Sequence, residues 1–240
     1  MKTINEAMKK LQELKRITES NEEEKNPYEN IKVYMNTWGN YNEYGADVEQ
    51  INGGWMSIEQ AKEFLERHKD EEPFINDTDN VPGDLDIDEY TNPWQAIEML
   101  DYIENCDNKD ALIAIIESTG NDFEEDKRIY EDGDYTFFAG VDNDADLGKA
   151  YVDMVGFSGI NKIENYVNRE YVKQGLVDSL DSEEDLSDDT IEAMVDEEIE
   201  MARVGNDEAF FEDYFDYESL GRDLDYEGYF FASTGAIETM

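Results

Sequence analysis

Asp142, Asp144 and Asp146 stand at alternate positions in "DNDADLGKAYVD" (142–153), the spacing at which a calcium loop presents its first three ligands. Two positions argue against a calcium site. The sixth is Leu147, where such a loop needs glycine to turn, and the twelfth is Asp153 rather than a bidentate glutamate. A helix N-terminus stabilised by acids accounts for the same residues better. The chain has one histidine, His68, expected at an exposed helix end, and one cysteine, Cys106. Soft-metal sites and histidine-dependent triads are therefore excluded, and so is an intramolecular disulfide. A single cysteine also fits a reducing cytoplasm. Glycosidase-type carboxylate pairs can be drawn in countless ways from 63 acids, so no pair is informative. No glycine loop suited to phosphate is present. These residues predict no enzyme, no cofactor and no metal.

What the chain does have is charge. It carries 63 Asp and Glu against 19 Lys and Arg, a formal net charge of −44 over 240 residues. Acidic chains poor in aromatics are normally disordered, but this one is 12% aromatic with only 4 prolines and shows recurrent apolar spacing. It is expected to fold despite self-repulsion. Duplex DNA carries one charge per roughly 1.7 Å, so the same charge corresponds to about 75 Å of duplex. An elongated body would ease the repulsion. Such a chain is repelled by nucleic acid and by anionic lipid, and its natural partners are basic proteins or cations. The apolar runs are too short to span a membrane, and residues 1–25 lack the apolar segment of a signal peptide.

The elements that must position this charge follow from periodicity and caps. Ile4, Met8, Leu11, Leu14 and Ile17 form a helical stripe within 1–25, the only charge-balanced part of the chain. "IKVYMN" (31–36) reads as a strand, "WGNYNEYG" as turn-rich, and Trp55 as lying on or near a second strand. Ser57 with Gln60 forms a capping box for "IEQAKEFLERHK", and "EPFIND" gives a further strand. Asn92 caps a helix with Pro93 at its first position. "KDALIAIIEST" is a helix ended by Gly120, and "NDFEEDKRIYEDG" a third. "DYTFFAGV" (134–141) returns to strand and "DADLGKAYVDMVG" to helix.

Residues 174–240 hold 22 acids against Arg203 and Arg222 alone. In "SDDTIEAMVDEEIEMARVG", Ile191, Met194, Val195, Ile199 and Ala202 make an apolar face. Asp188, Glu192, Asp196 and Glu200 descend another face at successive i,i+4 positions, an arrangement that destabilises an isolated helix. "FFEDYFDYESLGRDLDYEG" (210–228) interleaves seven carboxylates with aromatics. Phe211, Tyr214, Phe215, Tyr217 and Leu220 are expected to supply core. Asp213, Asp216, Glu218, Asp223 and Asp225 are expected to supply charge held in register, with Arg222 a structural ion-pair member.

Three segments together resemble the ArdA-type antirestriction proteins. They are "IKVYMNTWGNYNEYG" with its later "GGWMSI", "YTFFAGVDNDADLGKAYVDMVG", and "DYFDYESLGRDLDYEGYF". The last is the most specific, and the three anchor roughly 31–91, 134–157 and 213–231. The resemblance implies an elongated, three-domain α/β homodimer whose acids imitate bent duplex DNA. It implies occupation of the DNA-binding groove of type I restriction–modification enzymes, blocking cleavage and methylation, and carriage on phages, plasmids or conjugative elements in a bacterial cytoplasm. Residues 1–25 and the stretch about 158–212 exceed the usual pattern.

The expected fold class is α+β, with an N-terminal helical extension (1–27), an N-terminal α/β domain (28–91), a helical middle domain (92–133) and a C-terminal acidic α/β domain (134–240) holding the insertion. The expected partner-binding acids are Asp142, Asp144, Asp146, Asp153, Asp188, Glu192, Asp196, Glu200, Asp213, Asp216, Glu218, Asp223 and Asp225. Two other functions fit the charge. One is mimicry aimed at another nucleic-acid-binding defence complex or nucleoid protein. The other is an acidic cation-binding structural module.

Overall fold

The computed structural model describes residues 28, 30–44, 53–83, 85, 87–179 and 187–240, and the apolar stripe of 1–25 lies outside them. Their contacts divide the chain into two compact units, one comprising residues up to Val81 with Ile87–Glu104, the other Pro82–Asp86 with Asn105–Met240. Both mix helix and strand. The described residues form ten α-helices and two small antiparallel sheets, an α+β protein.

In the first unit, β1 (Lys32–Thr37) is the central strand, flanked by β2 (Gly54–Ser57) and β3 (Pro73–Asp79), both antiparallel to it. Val33 and Met35 alternate into the core, and the pairing with β3 slips by one residue between Tyr34 and Met35. Beyond β1 the segment expected to be turn-rich forms a short helix, α1 (Trp38–Tyr44). The Thr37 hydroxyl accepts from Asn40 N–H at 3.3 Å, and Trp38 stacks on Phe74 at 4.3 Å with the Tyr41 ring edge-on to both. Aromatic burial overrides the turn character of the local glycine and asparagines.

Helix α2 (Ile58–His68) opens on the expected capping box. Ser57 Oγ accepts from Gln60 N–H at 3.3 Å, and Gln60 Oε1 accepts from Ser57 N–H at 3.0 Å. Ile58, Ala61, Phe64 and Leu65 are buried. His68 was expected to be exposed, but it continues this stripe and is only 9% exposed. Its ring lies against Phe64, with Nδ1 3.1 Å from the Glu71 carboxylate. Helix α3 (Pro93–Asn105) begins as expected, Asn92 Oδ1 accepting from Trp94 N–H at 3.0 Å.

The second unit is built around α4 (Lys109–Thr119), in which every residue from Ala111 to Ile116 is buried. A helix apolar all round must be enclosed. It packs on α5 (Phe123–Asp132) and on a sheet of order β4–β6–β5, comprising Tyr135–Ala139, Gly235–Thr239 and Phe230–Ala232. The Glu117 carboxylate accepts from Ser233 N–H at 2.7 Å and Ser233 Oγ at 2.6 Å, tying the β5–β6 turn to the end of α4. Gly120 ends α4 in the left-handed conformation, φ 63°. Between β4 and β5 the chain forms α6 (Asp144–Val155), two single 3₁₀ turns, α7 (Arg169–Ser179), α8 (Asp188–Gly205), α9 (Glu208–Tyr214) and α10 (Tyr217–Glu227). These helices share a core that includes Leu147, Val172, Val195, Phe211, Phe215 and Leu220.

Candidate partner-binding surface

Helices α6 and α10 form the most intimate contact of the second unit, and glycine is the reason. A Cβ placed on Gly148 would overlap the carbonyl oxygen of Tyr217, and one on Gly221 would overlap the carbonyl oxygen of Asp144. The two backbones therefore touch directly, each glycine preceded by a buried leucine, Leu147 or Leu220. Gly in a helix interior costs up to about 1 kcal/mol relative to Ala, so two such glycines need a packing reason, and this crossing supplies it.

Around the crossing, Asp146 and Asp153 of α6 and Glu218, Asp223 and Asp225 of α10 are exposed, as are Asp142 and Asp213 in the flanking segments. Asp144 and Asp216 are half-buried. The aspartates of the calcium-like spacing are organised about an amide. Asn143 Oδ1 caps α6 by accepting from Asp146 N–H at 3.0 Å, while its Nδ2 donates to the carboxylates of Asp142 and Asp146, both at 2.7 Å. Asp216 caps α10, accepting from Ser219 N–H at 3.0 Å and Ser219 Oγ at 2.8 Å. Asp223 accepts from the Tyr166 hydroxyl at 2.9 Å. Burial, together with that carboxylate, pushes Tyr166 up to about 12, so it stays a neutral donor through the physiological range. Burial also raises Tyr217, with the nearby negative charges of Asp153 and Glu212 adding to it.

The ladder of α8 has a different environment. Arg169 of α7 lies 3.3 Å from Glu192 and 2.7 Å from Asp196, and Lys173 lies 3.2 Å from Glu192 and 3.8 Å from Asp188. Arg203 holds Glu200 at 2.6 Å. The column that looked unrelieved in sequence is thus bridged at every rung, and the seam between α7 and α8 explains how α8 tolerates it. Hydrogen bonds from Lys173 and Arg169 hold Glu192 below the ordinary glutamate range, and Arg203 does the same for Glu200. On α10, Arg222 pairs with Glu218 at 3.0 Å, as expected of a structural ion-pair member. Among the described residues no Lys or Arg bridges the other eight candidate acids.

The sequence did not single out Tyr166, Arg169, Lys173 or the glycine pair. Their roles depend on contacts between helices distant along the chain. Among the described residues the one deeply buried acid is Asp126, which accepts from Thr119 Oγ1 at 2.6 Å and is pushed upward by burial. It belongs to the α4–α5 corner and not to the exposed acids.

Residues 33–238 match the family described as antirestriction protein (ArdA). The chain belongs to the ArdA antirestriction family. The match runs through both units and includes the α6 and α10 glycines and the α7–α8 seam. No curated protein matches the chain. Antirestriction is the function that family membership carries, and it is inhibition rather than turnover. No described helix is long and apolar enough to cross a membrane.

Proposed function

We propose that this ArdA protein is a DNA mimic that occupies the DNA-binding groove of a type I restriction–modification enzyme and thereby blocks both restriction and modification. The observation that carries this reading is the combination of a −44 chain with carboxylates fixed at defined places on packed helices. A disordered acidic tail could supply the charge without the spacing. The unbridged acids Asp142, Asp144, Asp146, Asp153, Asp213, Asp216, Asp223 and Asp225 are the ones that stand for phosphates. Asp188, Glu192, Asp196, Glu200 and Glu218 contribute to the overall field while neutralised at short range. The protein acts as a homodimer in the host cytoplasm, needs no cofactor, and binds no nucleic acid itself.

Competition binding tests the reading. A type I enzyme is loaded with labelled duplex DNA and titrated with the protein at several salt concentrations, with mass by light scattering recorded in parallel. The expected result is displacement of DNA, weakening as salt rises, by a species of two chains. A ternary complex in which DNA and protein occupy the groove together would refute it.

A further inference from the structure

Gly148 and Gly221 invite a question that their structural role does not exhaust. The contact they permit is between backbones, and carboxylates flank it on both helices. On α6, the unbridged Asp146 and Asp153 are seven residues apart, and on α10 the unbridged Asp223 and Asp225 follow Gly221 by two and four positions. Seven residues of α-helix rise about 10.5 Å and return to nearly the same face. Gly148 lies inside the span of the α6 pair, and Gly221 lies within a turn or so of both α10 acids. The crossing therefore fixes the two pairs relative to each other.

We propose that Gly148 and Gly221 are positioning residues for inhibition, setting the register between the carboxylates of α6 and those of α10. The inference rests on the DNA-mimic reading and deepens it, because the partner then recognises where the charges stand as well as how many there are. A larger residue at either glycine must separate the helices, since the atom it meets is a backbone carbonyl that cannot swing aside. Separation shifts one acid pair against the other without altering net charge.

The experiment keeps charge constant and moves it. One variant combines Asp153→Asn with Met154→Asp, and a second combines Asp225→Asn with Tyr226→Asp. Met154 is 53% and Tyr226 82% exposed, so neither exchange disturbs the core. Each moves a carboxylate by one residue, about 100° around its helix. Both variants, their combination, Gly148→Ala and Gly221→Ala are compared with the parent by displacement of duplex DNA from the enzyme across a salt series. Circular dichroism and thermal unfolding report folding. The combined transposed variant is expected to unfold as the parent does, and to displace DNA about tenfold less well with a shallower salt dependence. The glycine variants, where folded, should show the same loss at unchanged net charge. If the combined transposed variant inhibits as the parent does with the same salt slope, the register is irrelevant and the proposal falls. A folded Gly221→Ala protein with parental inhibition overturns it equally. Should the glycine variants not fold, the transposed variants alone decide. A parent that fails to displace DNA would instead refute the mimic reading itself.

Discussion

Neutralising Asp146, Asp153, Asp213 and Asp225 together, each to Asn, separates contact charge from bulk charge. All four are exposed and bridged by no described Lys or Arg, and the change removes four of the 44 excess negative charges. When a protein displaces counterions from a DNA-like array, each ionic contact contributes about 0.9 to the slope of log affinity against log salt. Four lost contacts flatten that slope by up to about 3.6. Between 50 and 200 mM salt, where a site with 6–10 contacts loses about 10³–10⁵ in affinity, the variant should lose about 10² less. It should therefore bind more weakly than the parent at low salt and converge with it at high salt. Anisotropy competition against labelled duplex on the restriction enzyme measures both curves. The control removes the same charge from the bridged ladder, with Asp188→Asn, Glu192→Gln, Asp196→Asn and Glu200→Gln. Because these acids already face Arg169, Lys173 and Arg203, the control slope should stay near the parental one. A parental slope in the first variant, or an equal flattening in the control, would refute the assignment of contact to the unbridged acids.

Three further outcomes are expected. The ladder variant should exchange amide hydrogens faster across 188–205 while the α4–sheet core is unchanged, because Arg169 and Lys173 lose the carboxylates that dock α8 on α7. Leu147→Ala, at a fully buried position next to the α6–α10 crossing, should destabilise the second unit by about 2–5 kcal/mol in urea unfolding. For pH, Glu192 is depressed in the folded state, so its contribution is complete above the ordinary glutamate value and is lost as pH falls through the lower folded value. Asp126 is raised, so its contribution has the opposite sign and stability is gained as it protonates. Relief of self-repulsion adds to that gain. Chemical unfolding should therefore show stability rising as Asp126 protonates above the ordinary aspartate range, followed by loosening of α8 as pH falls below the ordinary glutamate range.

Local signals in the sequence located most elements. The Ser57–Gln60 box, the Asn92–Pro93 start and the Gly120 stop act within a few residues, and each is where the caps predicted. "IKVYMN" and "DYTFFAGV" read as strands where β1 and β4 lie, and the apolar period marked α8. What the sequence concealed was tertiary. "WGNYNEYG" has turn composition, yet Trp38 gains a stacked Phe74 from 36 residues away, and the segment winds into helix. His68 was misplaced because charged residues surround it in sequence, while the helical period carries it inward. The ladder looked costly because Arg169 and Lys173 precede the acidic tail and approach α8 only after α7 folds against it. How the helices between 92 and 133 are shared between the two units depends on packing of the same kind.

The alternation of aromatics and acids in "FFEDYFDYESLGRDLDYEG" follows from how that stretch is built. It is two helices that meet at Phe215, whose extended backbone breaks the run, while its ring packs against Phe157, Tyr166 and Tyr217. Phe211, Phe215, Leu220 and Leu224 are buried at helical intervals, and Asp213, Glu218, Asp223 and Asp225 occupy the intervening exposed positions. Fixing one exposed side chain of this kind in a mobile tail would cost backbone entropy of about 1–2 kcal/mol per residue at the moment of binding. Here folding has already ordered the backbone, so on the DNA-mimic proposal the partner's cations would meet a preformed array. On that proposal the aromatics and glycines are part of the recognition. Removing them would leave a chain of the same charge with no fixed distances between its carboxylates.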